Sequence, residues 1–188
     1  MKKLIGVLVV LFLVFGFMGC ASKNIAAPLA ESSLFPPVIR DAIANAPANV
    51  LIGIGDSNLT VLSQARTMSA SRARAEIARQ MNTIVEDMIR DYMAGSEQDP
   101  RAAISFQEVI TVSLSRAELT GASVVAQDRD RSGVYWTVVY MSKENVATEI
   151  TQAQAAARLA VPAMASFDAE ARMNEAFDRL NARERSLR

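Results

Sequence analysis

The chain has 188 residues, in which 20 lysines and arginines balance 20 aspartates and glutamates, and it contains no histidine and one cysteine. Because histidine moves protons most readily near neutral pH and is the commonest metal ligand, its absence excludes histidine-based triads and dyads and most zinc sites. The balanced charge lacks the basic stripe that a nucleic-acid partner requires. We therefore expect a binding or structural role rather than an enzyme, with no small-molecule substrate.

The first twenty residues predict a secretion signal. A basic start at Lys2 and Lys3 precedes an apolar run from Leu4 to Phe15, which is short for a bilayer span. The stretch Phe17-Met18-Gly19-Cys20 resembles the lipobox of bacterial lipoproteins, in which the cysteine sulfur receives diacylglycerol and the preceding peptide bond is cut. We expect cleavage between Gly19 and Cys20, a covalent lipid on Cys20 and no other cofactor.

The same resemblance implies a location. Phe17 stands where leucine is usual, and Ala21 and Ser22 follow the cysteine in place of the aspartate that retains many lipoproteins on the inner membrane. We expect a protein held in the outer membrane by two or three acyl chains, each buried methylene contributing about 0.8 kcal/mol. It would face the periplasm or the cell surface. The alternative interpretation of residues 1–19 is an uncleaved membrane anchor.

Residues 20–34 are small and polar, which predicts a lipidated tether. Next come a short helix over Val38–Asn45, a buried strand over Val50–Gly55 and a long helix from about Thr60 to Tyr92. We interpret Gly53-Ile54-Gly55 as a tight turn, because the third glycine of a phosphate-binding fingerprint is missing. Small residues on one face of the long helix predict a close approach to a sheet; they are Ala65, Ser69 and Ala73.

The break over Ala94–Pro100 ends that helix, and the β-favouring composition of Ile104–Leu119 predicts a long strand. Ser123–Gln127 and Val134–Met141 predict two strands joined by a charged hairpin loop. The Asp128-Arg129-Asp130 sequence in that loop lacks the downstream glutamate of a calcium site, so we interpret it as a solvated hairpin tip. Both faces of the last strand are apolar and need cover.

Two helices complete the chain and are candidates for covering the second face of the sheet. One is predicted from about Val146 to Ala160 and broken by Pro162. The second, from about Phe167 to Leu180, carries a contact stripe of apolar side chains. That stripe consists of Met173, Phe177 and Leu180, which we expect to be buried against the sheet or against a second copy of the chain.

Several segments together resemble a family of bacterial outer-membrane lipoproteins, the Lpp-twenty type. The resemblance covers roughly residues 36–146, where Val38 replaces the tryptophan that often follows the first proline. It rests on Pro37, Val50–Gly55, the Ala73–Arg79 core of the long helix, Leu119–Gly121 and Val134–Val139. The family includes flagellar assembly lipoproteins, and the resemblance implies no catalytic residue. The resemblance implies an α+β unit, a long helix on a small antiparallel sheet, at residues 35–146, followed by a C-terminal helical extension at 147–188.

Two functional hypotheses follow. The first is an outer-membrane lipoprotein with a structural or assembly role in the envelope, flagellum-associated in some members of the family, that acts through contacts with envelope or flagellar proteins or with itself. The alternative is a periplasmic binding module that regulates an envelope enzyme such as a peptidoglycan synthase. A hydrolase based on carboxylates has no recognisable acid and base pair to support it.

Overall fold

The computed structural model describes residues 34–94, 99–116, 119 and 121–186. The predicted signal, Gly19, Cys20 and the tether through residue 33 lie outside these residues. Within the described ranges, α-helices pack on one antiparallel sheet, which confirms the predicted α+β class. The helices are α1 Pro37–Ala44, α2 Leu62–Ala94, α3 Pro100–Arg116, α4 Lys143–Ala160 and α5 Glu170–Ser186. The strands are β1 Val50–Ser57, β2 Ser123–Arg129 and β3 Tyr135–Ser142.

The sheet has the order β1-β3-β2, with both pairings antiparallel. Ser57 and Arg129 both lie opposite Tyr135, so the end of β1, the end of β2 and the start of β3 share one end of the sheet. The predicted β2–β3 hairpin is confirmed. A bulge between Val124 and Ala126 interrupts the register of β2.

Both faces of the sheet are covered, as the apolar faces of β3 predict. On one face, Val139 and Met141 belong to the large core formed with the long helix and the C-terminal helices. On the other, Val138 packs with Ile39 and Ile43 of α1. The expectation that C-terminal helices cover the second face is therefore wrong, because the short α1 occupies it.

The strand predicted over Ile104–Leu119 is wrong, because its residues up to Arg116 lie in helix α3. The helix begins with Pro100, a residue whose fixed φ suits the first helical position, and Asp99 Oδ1 accepts a hydrogen bond of 2.9 Å from the Arg101 N–H. Its buried side chains recur at helical spacing, so core packing outweighs the β preference of the intervening valines and threonine. They are Ala103, Phe106, Ile110 and Leu114.

Gly53 and Gly55 lie inside β1, so the tight-turn interpretation is also wrong. A Cβ on Gly53 would sit 2.0 Å from the Ala73 carbonyl oxygen, and one on Gly55 would sit 2.1 Å from the Ser69 carbonyl oxygen. These glycines let the backbone of α2 rest directly on the strand. The close approach predicted from the small face of the long helix is thereby confirmed.

The C-terminal helices join the same core as α2 and α3. Ser142 caps α4 by accepting a hydrogen bond of 3.1 Å from the Asn145 N–H. Past the 3-10 turn at Pro162–Met164, the buried Gln154 side chain donates to the Phe167 carbonyl at 2.8 Å and accepts from the Ala169 N–H at 3.0 Å. This amide fixes the start of α5 against α4. Residues on both sides of position 146, the predicted boundary of the C-terminal extension, belong to one hydrophobic core.

Candidate functional surfaces

The predicted contact stripe lies inside the protein. Met173, Phe177 and Leu180 are 4%, 6% and 8% exposed and belong to the core shared with α2. The Lys143 ammonium also lies 5.4 Å from the centre of the Phe177 ring. The stripe is therefore buried by helices of its own chain, and it leaves no room for a second copy.

A polar seam joins α2 to β3. The Ser69 and Thr137 hydroxyl oxygens lie 2.6 Å apart, and Gln127 Nε2 donates to Thr137 Oγ1 at 3.0 Å. Arg66 Nε donates to the Tyr135 hydroxyl at 3.0 Å. In the described part of the chain, no general base is hydrogen-bonded to the Ser69 or Thr137 hydroxyl. The seam therefore lacks the paired nucleophile and base of covalent catalysis. It holds the helix in register on the sheet.

The carboxylate of Asp130 organises the hairpin loop. It accepts hydrogen bonds from the Ser132 hydroxyl at 2.6 Å, the Trp136 indole N–H at 3.0 Å, and the backbone N–H groups of Ser132 and Val134 at 2.8 and 2.9 Å. These bonds, led by that of Ser132, lower the pKa of Asp130 to about 2. Across the described ranges, no group of three or more cysteine, aspartate or glutamate side chains is arranged to hold a metal ion. The loop uses its carboxylate for its own fold.

The two edges of the sheet differ. Along β1, side chains of α2 cover outward carbonyls: Gln80 Nε2 donates to the Ile52 oxygen at 2.9 Å and Arg72 Nη1 to the Asp56 oxygen at 3.0 Å. The outer side of β2 pairs with no strand among the described residues. Val124 and Val125 on that strand are 41% and 43% exposed. We call β2 the open edge.

Exposed apolar side chains gather at the end of the sheet where Leu34 and Phe35 lie. The Phe35 ring stands edge-on to Trp136 at 4.8 Å, and Arg129 Nη2 reaches the Leu59 carbonyl at 3.4 Å. These contacts place the chain entry, the hairpin loop and the loop before α2 at one end of the sheet. We define the entry-end cluster as Leu34, Leu59, Val61, Leu62 and Met68.

Two members of the entry-end cluster, Leu59 and Met68, line a groove beside the start of α2. The groove has a volume of about 570 Å³, and four hydroxyl or amide side chains complete its lining. Those polar groups belong to Ser63, Gln64, Thr67 and Ser71. The composition suits a surface that meets both apolar and polar groups.

Sequence reasoning did not identify either surface. The open edge depends on strand order, which hydrophobic periodicity does not encode. The cluster depends on which face of α2 the sheet covers, although the apolar Val61 and Leu62 at the helix start are a signal visible in the sequence.

Comparison with known proteins adds no assignment. No protein-family model matches the chain, and no curated protein matches it. None of the helices in the described ranges is both long and apolar enough to span a bilayer.

Proposed function

We propose that this chain is an outer-membrane lipoprotein with a structural or assembly role in the bacterial envelope. Cys20 carries the lipid, and the α+β domain acts through contacts with other proteins. The lipobox-like Phe17–Cys20 supports the anchor, and the resemblance to lipoproteins that include flagellar assembly members supports the role. No step of this function requires a catalytic residue.

The open edge of β2 is the observation that favours protein contact. An edge strand presents unpaired backbone N–H and C=O groups, which an extended strand of a partner can complete. On the opposite edge, Gln80 and Arg72 occupy the equivalent groups of β1. The exposed Val124 and Val125 add apolar area to this edge, beside the bulge in β2. We therefore infer that an extended strand of a partner protein pairs with the open edge of β2.

A cysteine introduced at Val125 tests this assignment in the full chain. Cys20 is the only natural cysteine, and acylation blocks its thiol, so the new thiol is the single reactive one. We expect Val125→Cys to form a crosslinked species under mild oxidation or with a short bifunctional reagent in intact cells. Leu159→Cys is the matched control, because Leu159 is 86% exposed and lies on α4 rather than on β2. Equal crosslinking at the two positions, or none, would contradict the proposal.

The mass of the crosslinked species separates the two functional hypotheses. A species of twice the chain mass supports self-assembly, whereas a heavier adduct with an envelope enzyme, identified by peptide mapping, supports the regulatory alternative. Either product supports contact through β2.

A further inference from the structure

The entry-end cluster holds an unusual share of the exposed apolar side chains. Of the eleven large apolar residues that are exposed in the described ranges, five belong to this cluster. Val61 and Leu34 are 51% and 72% exposed. Scattered apolar residues on a surface need no explanation, but a group at one end of a fold marks a surface that contacts a membrane or another protein.

The position of the cluster favours contact with the membrane. Cys20 is fourteen residues before Leu34, and fourteen residues span at most about 50 Å when fully extended. Helix α2 alone is 33 residues long, which is about 50 Å at 1.5 Å per residue. To bring the far end of the domain to the membrane, the tether would have to run back along the whole molecule almost fully stretched. If the tether is less than fully extended, the entry end of the domain is the end nearest the lipid.

Charge at this end is compatible with a lipid surface. Arg129 and Arg131 are exposed beside the hairpin loop, and arginines near a bilayer are attracted to anionic headgroups. Asp128 and Asp130 carry two negative charges in the same segment, so the hairpin has no net charge and does not repel anionic headgroups. Exposed apolar side chains beside a hairpin of zero net charge suit the boundary region of a bilayer.

From these observations we propose that the entry-end cluster docks on the bilayer that carries the lipid of Cys20. Leu59, Leu62 and Met68 enter the boundary between headgroups and acyl chains, and the long axis of α2 points away from the membrane. This inference rests on the proposed lipid anchor. It gives the domain a fixed orientation, in which the open edge of β2 stands along the side of the molecule and is accessible to a partner.

Nitroxide labels on single cysteines test the orientation in the full lipidated chain. The protein is reconstituted in vesicles of phosphatidylethanolamine and phosphatidylglycerol, with a label at Leu62→Cys or at Leu159→Cys. Position 159 adjoins Arg158, whose guanidinium is hydrogen-bonded to the Phe167 carbonyl. The Phe167 ring lies 5.5 Å from that of Tyr92, about 45 Å along α2 from Leu62. The two labels therefore report on opposite ends.

We expect the label at 62 to lose its broadening by a water-soluble nickel complex and to gain broadening by oxygen, and the label at 159 to show the reverse. Adding Met68→Glu to the Leu62→Cys protein should restore the nickel broadening. Adding Ile104→Glu, a change at a 58% exposed position on α3, should leave the label unchanged. Both substituted side chains are exposed, so the fold tolerates them.

The anchor and the docking fail in different ways. If the chain does not float with the vesicles, the lipid anchor is wrong and the docking falls with it. If the chain floats but the label at 62 is as accessible to nickel as the label at 159, the anchor stands and the docking is overturned. Protection of the label at 62 from both nickel and oxygen would mean that protein covers the cluster, and that result also overturns the docking.

Discussion

Gly55→Ala tests the close approach of α2 to the sheet. The new Cβ would lie 2.1 Å from the Ser69 carbonyl oxygen and 2.4 Å from the Ala73 nitrogen. Unstrained carbon contacts begin near about 3.5 Å, so the helix must retreat by more than about 1 Å. Both obstacles are backbone atoms, which a change of side-chain rotamer does not move. The retreat also stretches the 2.6 Å hydrogen bond between Ser69 and Thr137.

We expect Gly55→Ala to lower the free energy of unfolding by about 3 kcal/mol, at the upper end of the usual cost of overpacking. For a domain of this size the loss corresponds to a fall in Tm of about 6–12 °C. Urea unfolding of the lipidated chain in detergent, followed by the fluorescence of the single tryptophan, Trp136, measures it. Ser123→Ala, at an exposed strand position, is the control and should change stability by less than about 0.5 kcal/mol. A loss for Gly55→Ala as small as that of the control would refute the close packing.

Three further substitutions probe other parts of the fold. The pKa of Asp130 is lowered from 3.8 to about 2, so its contribution to stability is present above about pH 4 and is lost as the pH falls towards 2. Asp130→Asn should remove this part of the acid sensitivity, which unfolding curves taken across that pH range measure. Gln154→Leu leaves the buried Ala169 N–H without its acceptor and should cost about 1–3 kcal/mol in urea unfolding, whereas an unchanged midpoint would mean that water replaces the amide. Phe177→Asp should cost at least about 3 kcal/mol without changing the mass in sedimentation, and a change in mass with unchanged stability would return the stripe to an interface between copies.

Much of the fold follows from local patterns in the sequence. The periodicity of α2, the hairpin at β2 and β3, and the two apolar faces of β3 all predict what the structure contains. Ile104–Leu119 misleads because its β-branched residues favour a strand, while Ala103, Phe106, Ile110 and Leu114 mark a helical face. Asp99 and Pro100 also form a helix start. Because they stand at the end of a polar break, the sequence pattern assigns them to the break instead.

Other features lie beyond any local pattern. A glycine within a strand signals either a turn or a close backbone contact, and only the position of α2 decides between them at Gly53 and Gly55. The cover of the second face by α1 depends on how the chain enters the sheet, at Phe35 against Trp136. The open edge of β2 and the entry-end cluster arise from topology in the same way. Surfaces for partners are therefore harder to predict than the core.

The mass of the mature N-terminus is a direct test of the proposed lipid anchor at Cys20. The chain is expressed in a bacterium that processes lipoproteins, recovered from the membrane fraction, and its N-terminal peptide is analysed by mass spectrometry. We expect a peptide that begins at Cys20 and carries diacylglycerol on the sulfur, and we expect Cys20→Ser to abolish both the cleavage and the lipid. A membrane-bound wild-type chain that still begins at Met1, or a Cys20 that bears no lipid, would contradict the lipid anchor.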